Sequence, residues 1–178
     1  MTETISRKQF LRGDFKNRYA PIRPPWSGNE TDFLDSCSQC GECIKVCPEK
    51  ILISGSGHYP EVSFANGECT FCFKCADSCH DNALSGQISD LPWQLEASIN
   101  ELCLTFKGIH CMSCRDQCET EAITFIPKLS QPAQPVIKPL LCNGCGACFK
   151  PCPAKAIKLS VNKSSQSINM SSYKESAI

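Results

Sequence analysis

Sixteen cysteines dominate what this chain can fold into, because they recur as four groups of four. The groups are Cys37, Cys40, Cys43 and Cys47; Cys69, Cys72, Cys75 and Cys79; Cys103, Cys111, Cys114 and Cys118; and Cys142, Cys145, Cys148 and Cys152. Groups one, two and four read C-x2-C-x2-C-x3-C, whereas group three reads C-x7-C-x2-C-x3-C, with a longer first arm. Their starts lie 32, 34 and 39 residues apart. A period of that size marks one supersecondary unit per copy.

Four kinds of chemistry use dense cysteine, and the spacing separates them. A secreted disulfide scaffold needs an export signal, yet residues 1–23 carry Arg7, Lys8, Arg12, Asp14, Lys16 and Arg18 with no apolar run to serve as one. In a reducing compartment thiols stay free or hold metal. Structural zinc takes four ligands, usually two from each of two knuckles, so a third cysteine at x2 is surplus in three groups. The plant-type [2Fe–2S] spacing C-x4-C-x2-C is absent. What remains is the [4Fe–4S] cubane, each iron of which takes one outside thiolate. C-x2-C-x2-C-x3-C-P is the bacterial ferredoxin run, and groups one and four complete it with Pro48 and Pro153.

In that run the fourth cysteine serves the other cluster of a pair. With neighbouring groups paired, this gives one set of Cys37, Cys40, Cys43 and Cys79 and a second of Cys69, Cys72, Cys75 and Cys47. The later groups give Cys103, Cys111, Cys114 and Cys152, then Cys142, Cys145, Cys148 and Cys118. Four clusters on sixteen ligands are the expectation, and the set on Cys103, Cys111 and Cys114 departs furthest from the regular pattern.

Between the ligand loops the chain reads as short strands. Ile51-Leu52-Ile53 and Val62-Ser63-Phe64 flank a turn with Gly55, Gly57 and Pro60. Residues 122–126 and Val136-Ile137 flank a proline-containing loop with Pro127, Pro132 and Pro135, and residues 156–161 alternate as a final strand. The fold class expected is α+β: two tandem bacterial-type dicluster ferredoxin-like domains over 31–89 and 90–161, an N-terminal arm over 1–30, and a disordered tail over 162–178. The tail is rich in serine and poor in apolar residues. Trp93 and Leu95 are candidate anchors where the second domain begins, and Trp26 is expected either to meet a partner or to cap the first domain.

Gly41, Gly144 and Gly146 sit in the ligand loops, where they serve a turn or let backbone N–H groups approach cluster sulfur. His58 and His80 are read as surface, with His80, next to Cys79, also weighed as a tuning group, whereas the role of His110, beside Cys111, stays open. Lys plus Arg and Asp plus Glu both total 18, so the bare chain has no charge bias toward nucleic acid. No stretch is long and apolar enough for a membrane span. No paired nucleophile and base is evident, and an enzyme is not expected.

The order Ser6-Arg7-Lys8, Leu11 and Gly13, then Ile22-Arg23-Pro24-Pro25-Trp26, then four cysteine groups with the third in x7 form and the fourth reading Leu141-Cys142-Asn143-Gly144-Cys145-Gly146-Ala147-Cys148, resembles the NapF family. These are ferredoxin-type accessory proteins of periplasmic nitrate reductase systems. The likeness covers roughly residues 5–160. Lys8, where relatives often carry a second arginine, and the serine-rich tail depart from it. The resemblance implies a cytoplasmic, non-catalytic iron–sulfur protein that binds the precursor of the nitrate reductase catalytic subunit and assists maturation of its cluster before export. The alternative is an electron carrier or relay subunit. Arg7-Lys8 approximates a twin-arginine signal without the apolar region that export needs, so the segment reads as a docking element.

Overall fold

A computed structural model describes residues 21–86, 92–93 and 95–161. The Arg7-Lys8 motif, part of the linker and the serine-rich tail lie outside the described residues. Small helices and two-stranded sheets alternate, as an α+β fold requires.

In the first half, α1 (Glu30–Ser36) begins where the Asn29 side chain accepts the Asp32 N–H at 3.0 Å and places Glu30 and Asp32 in the positive first turn. It buries Phe33. Helix α2 (Glu42–Val46) follows Gly41, whose φ of +76° is left-handed. A Cβ there would meet nothing, so backbone conformation rather than space calls for the glycine. Strands β1 (Leu52–Ser54) and β2 (Pro60–Val62) pair antiparallel with Leu52 opposite Val62, joined through a 3-10 turn at Ser56–His58. Helix α3 (Lys74–Asp77) packs against α2.

The second half opens with β3 (Leu95–Ile99) and closes with β6 (Ile157–Val161), paired antiparallel with Ile99 opposite Ile157. Between them lie a 3-10 turn at Leu104–Lys107, α4 (Ser113–Asp116) and the hairpin of β4 (Ile123–Lys128) and β5 (Gln131–Ile137). Pro127, Pro132 and Pro135, expected in a loop, belong to these strands. A two-stranded sheet has two free edges, so a residue without an N–H can be accommodated where its nitrogen faces away from the partner.

The halves share one main core. Phe33, Ile51, Leu52, Tyr59, Phe64 and Leu84 are buried together with Leu95 and Leu159 from the second half, and Trp93 and Phe149 pack against them. The anchors at Trp93 and Leu95 therefore fasten the second half to the first. Trp26 is 5% exposed and edge-on to Phe73 at 4.8 Å, so it belongs to the core of the first half and is not a partner contact. Arg23, Pro24 and Pro25 are buried beside it. Arg23 reaches both Glu30 carboxylate oxygens at 2.9 and 2.7 Å and lies over the rings of Phe33 and Tyr59. That bidentate, ring-stacked placement is one an arginine provides and a lysine does not.

Candidate metal centres

None of the sixteen cysteines is joined in a disulfide. The backbone around them repeats, and the repeat reaches group three. Three residues past each fourth cysteine stands a left-handed residue, Lys50, Asn82, Glu121 or Lys155, whose N–H bonds back to the carbonyl of Cys47, Cys79, Cys118 or Cys152. In each regular group, two and four residues past the first cysteine, the chain is left-handed again: Gln39 and Gly41, Phe71 and Phe73, Gly144 and Gly146. A left-handed turn costs an ordinary residue about 1–2 kcal/mol, and only group four fills both positions with glycine. Alternation of right- and left-handed residues gathers successive N–H groups into a concave anion site, a geometry common around Fe–S centres. The x7 loop lacks the paired turns and has a single left-handed Gly108 instead.

Two cavities each bring together thiols from two groups. One cavity is lined by Cys47, Cys69, Cys72 and Cys75, with Pro25, Trp26 and Phe73 on its wall. Another is lined by Cys103, Cys111, Cys114 and Cys152, with Leu104, Phe125 and Ile157. In both, the fourth cysteine of the neighbouring group completes the set. Around the other two expected sets the thiols bear on one another's charge without separating by set, since Cys75 acts on Cys43 as well as Cys37, Cys40 and Cys79 do. Burial raises Cys37, and the neighbouring sulfurs of Cys79 and Cys40 add to it. Burial pushes Cys148 up to about 12, with Cys145, Cys142, Cys114 and Cys118 adding to it.

The same cause pushes Cys43, Cys69 and Cys75 up to about 12 and Cys114 to about 11. At neutral pH these thiols hold their protons until a metal displaces them. Among the described residues no three His, Cys, Asp or Glu side chains converge tightly enough for a single metal ion. A cubane takes each thiolate on a different iron, so its ligands stand apart. One further atom fits such a group. Trp26 Nε1 is buried without a hydrogen-bond partner, on a residue that lines the Cys47, Cys69, Cys72 and Cys75 cavity. A sulfide-rich guest offers acceptors for an N–H that the protein leaves unpaired.

The two inner sets meet at the seam between the halves. The Cys69 N–H donates to the Cys145 carbonyl at 2.8 Å. Lys150 Nζ donates to the Asn66 carbonyl at 3.0 Å, and Trp93 Nε1 to that of Asn143 at 3.1 Å. Phe64 packs edge-on to Trp93, and a Cβ on Gly146 would collide with the Phe64 ring. Here the glycine serves close approach as well as backbone conformation. His58, His80 and His110 are exposed.

Sequence reasoning missed the hydroxyls. Thr105 Oγ1 lies 3.2 Å from Cys103 Sγ, Ser113 Oγ 3.7 Å from Cys111 Sγ, and Thr120 Oγ1 3.6 Å from Cys118 Sγ. Each stands two residues after its cysteine, a signal present in the sequence as C-x-[ST].

Two family models, each described as a 4Fe-4S dicluster domain, match residues 36–84 and 107–156. They make [4Fe–4S] clusters the cofactor of the chain. The ferredoxin-type protein NapF of Escherichia coli K12 is 43% identical across 85% of this chain and 92% of its own length. NapF of Haemophilus influenzae is 40% identical across 88% and 94%, and the ferredoxin-type protein NapG of Escherichia coli K12 is 32% identical across 80% and 72%. Among the described residues no helix is long and apolar enough to cross a membrane.

Proposed function

Because the chain belongs to the NapF family of ferredoxin-type iron–sulfur proteins, we propose that it binds the immature catalytic subunit of a periplasmic nitrate reductase in the cytoplasm and assists maturation of that subunit's cluster before export. In this reading all sixteen cysteines are iron ligands, in the four crossed sets, within two dicluster domains over 31–89 and 90–161. The observation that carries the ligand assignment is the pair of cavities, each lined by three cysteines of one group and the fourth of its neighbour.

Bound clusters supply one-electron redox chemistry. The chain's own residues do the rest. Buried thiols release protons as they take up iron, the left-handed loop residues turn N–H groups toward the sulfur, and the aromatic wall of Trp26 and Phe73 limits water at the Cys47, Cys69, Cys72 and Cys75 set. Deleting residues 1–20 tests the docking role of the basic segment while sparing the buried Arg23–Trp26 stretch. Co-purification with the precursor should be lost and iron per chain retained.

A second reading, an electron carrier, draws support from the Cys69–Cys145 contact, which sets the two inner ligand loops side by side. The two readings separate in cells lacking the chain. A cluster-deficient catalytic subunit supports maturation; a fully occupied one with slowed electron delivery supports the carrier.

A further inference from the structure

Thr105 is buried to 3% exposure within the x7 arm, and its hydroxyl faces the sulfur of Cys103 at 3.2 Å. Ser113 stands in the same relation to Cys111, and the Ala156 N–H donates to Cys152 Sγ at 3.2 Å. All three sulfurs belong to one set. A cysteine sulfur bonded to iron carries no proton, so between it and a hydroxyl only the hydroxyl can donate. Hydrogen bonds to cluster sulfurs stabilise the added electron and are among the levers that set a cluster's potential.

The other sets are less well supplied with side-chain donors. Thr120 reaches Cys118 in the inner set of the second half, and Trp26 Nε1 is the unpaired donor beside the inner set of the first. At the outer set, Cys37, Cys40, Cys43 and Cys79, two nearby serines are engaged elsewhere: Ser38 with Asp81, and Ser78 with the Cys75 carbonyl. Backbone donors reach thiols in both halves, for example Gln39 to Cys37 and Ala147 to Cys145, so they do not discriminate.

We propose that the x7 arm is a redox-tuning device: Thr105, assisted by Ser113, raises the potential of the Cys103, Cys111, Cys114 and Cys152 site above that of the Cys37, Cys40, Cys43 and Cys79 site. The x7 site is then the end of the chain where an electron comes to rest. A low-potential one-electron donor loses one electron, the chain gains it, and no covalent bond forms or breaks. The seam hydrogen bond from Cys69 to Cys145 gives a continuous bonded route between the halves.

The inference rests on the reading of the cysteines as cluster ligands, which iron per chain tests separately. The experiment is a redox titration of the full anaerobic holoprotein followed by electron paramagnetic resonance, on wild type, Thr105→Val, Thr105→Ser and Ser113→Ala. Cys111→Ser identifies which signal belongs to the x7 site. Thr105→Val keeps the side-chain shape and removes the donor, so that signal should move to a more negative potential while the others stay. Thr105→Ser should restore it, and Ser113→Ala should give a smaller shift at the same signal. Unchanged potentials in both Thr105→Val and Ser113→Ala at full iron content would overturn the proposal, as would an equal shift of all signals or a Thr105→Ser protein that behaves like Thr105→Val. If Thr105→Val loses iron, Ser113→Ala, at a less buried position, decides alone.

Discussion

Residues 21–86 gather Phe33, Ile51, Leu52, Tyr59 and Leu84 into a packed core, whereas residues 95–161 keep only Ile123, Cys148 and Ile157 in a buried cluster of their own. The surfaces differ in the same sense. Exposed large apolar side chains in the first half are Val46 and Ile53; the second half exposes Leu102, Phe106, Ile109, Ile126, Leu129 and Leu140 among others. Charge divides too. Residues 21–86 carry nine carboxylates against four Lys and Arg, and residues 92–161 carry five against seven. One ligand pattern has thus been supported in two ways, by apolar packing in the first half and mainly by the ligands themselves in the second.

The largest consequence concerns iron. Metal binding free energy becomes folding free energy where a domain has little else, so anaerobic chelation should unfold the second half and leave partial structure around Phe33 and Tyr59. Amide hydrogen exchange reads this directly: protection should vanish along β4–β5, fall less along β3–β6, whose Leu95 and Leu159 join the main core, and persist in part along α1 and β1–β2. Equal loss in both halves would break the contrast.

Next in size is the core itself. Phe33 is 1% exposed, under the Arg23 guanidinium at 5.3 Å. Phe33→Ala should cost about 3–5 kcal/mol, the range for large-to-small changes at buried aromatic sites. The check is a denaturant midpoint on the iron-loaded protein, together with an iron count. Iron should stay near the wild-type value, because no ligand loop depends on the ring for a bond.

The seam gives an intermediate effect. Gly146 has φ of +84°, and an added Cβ would strike Phe64. Gly146→Ala combines strain with overpacking, and overpacking alone costs about 1–3 kcal/mol. It should also speed exchange of the Cys69 amide, whose acceptor is the Cys145 carbonyl beside the glycine. Destabilisation without faster exchange at Cys69 would mean that the halves separate elsewhere.

How far the sequence reveals this arrangement depends on which residues carry the information. The grouping of the cysteines and the closing strand at Ile157–Val161 are legible because cubane chemistry fixes spacing and a strand shows alternation. Pro132 and Pro135 misread as loop residues, since the rule against proline in strands weakens where a sheet has only two members. Trp26 reads ambiguously because an aromatic after two prolines suits a partner groove as well as a core, and only the fold supplies Phe73 and Pro92 as its neighbours. Thr105 hides inside an arm that looks like an insertion. Its burial comes from the turn at Leu104–Lys107 packing against β5, a contact between distant segments that local pattern does not encode.

The smallest effect is expected where the second half departs most visibly from the first. Leu129 is 97% exposed at the tip of the β4–β5 hairpin and Leu140 is 99% exposed just before group four. Hydrophobic stabilisation scales with apolar area removed from water on folding, and neither side chain removes any appreciable area. The double change Leu129→Ser with Leu140→Ser should therefore leave stability within about 0.5 kcal/mol, as is usual for surface substitutions. It should also lower self-association at high concentration, because exposed apolar side chains promote it. Denaturant midpoints and sedimentation of the iron-loaded protein test both parts. A loss beyond about 1 kcal/mol, well outside the surface range, would mean that these leucines pack within the chain. The second half would then hold a core of its own, and the contrast between the halves would narrow to their charge and their ligand-loop hydroxyls.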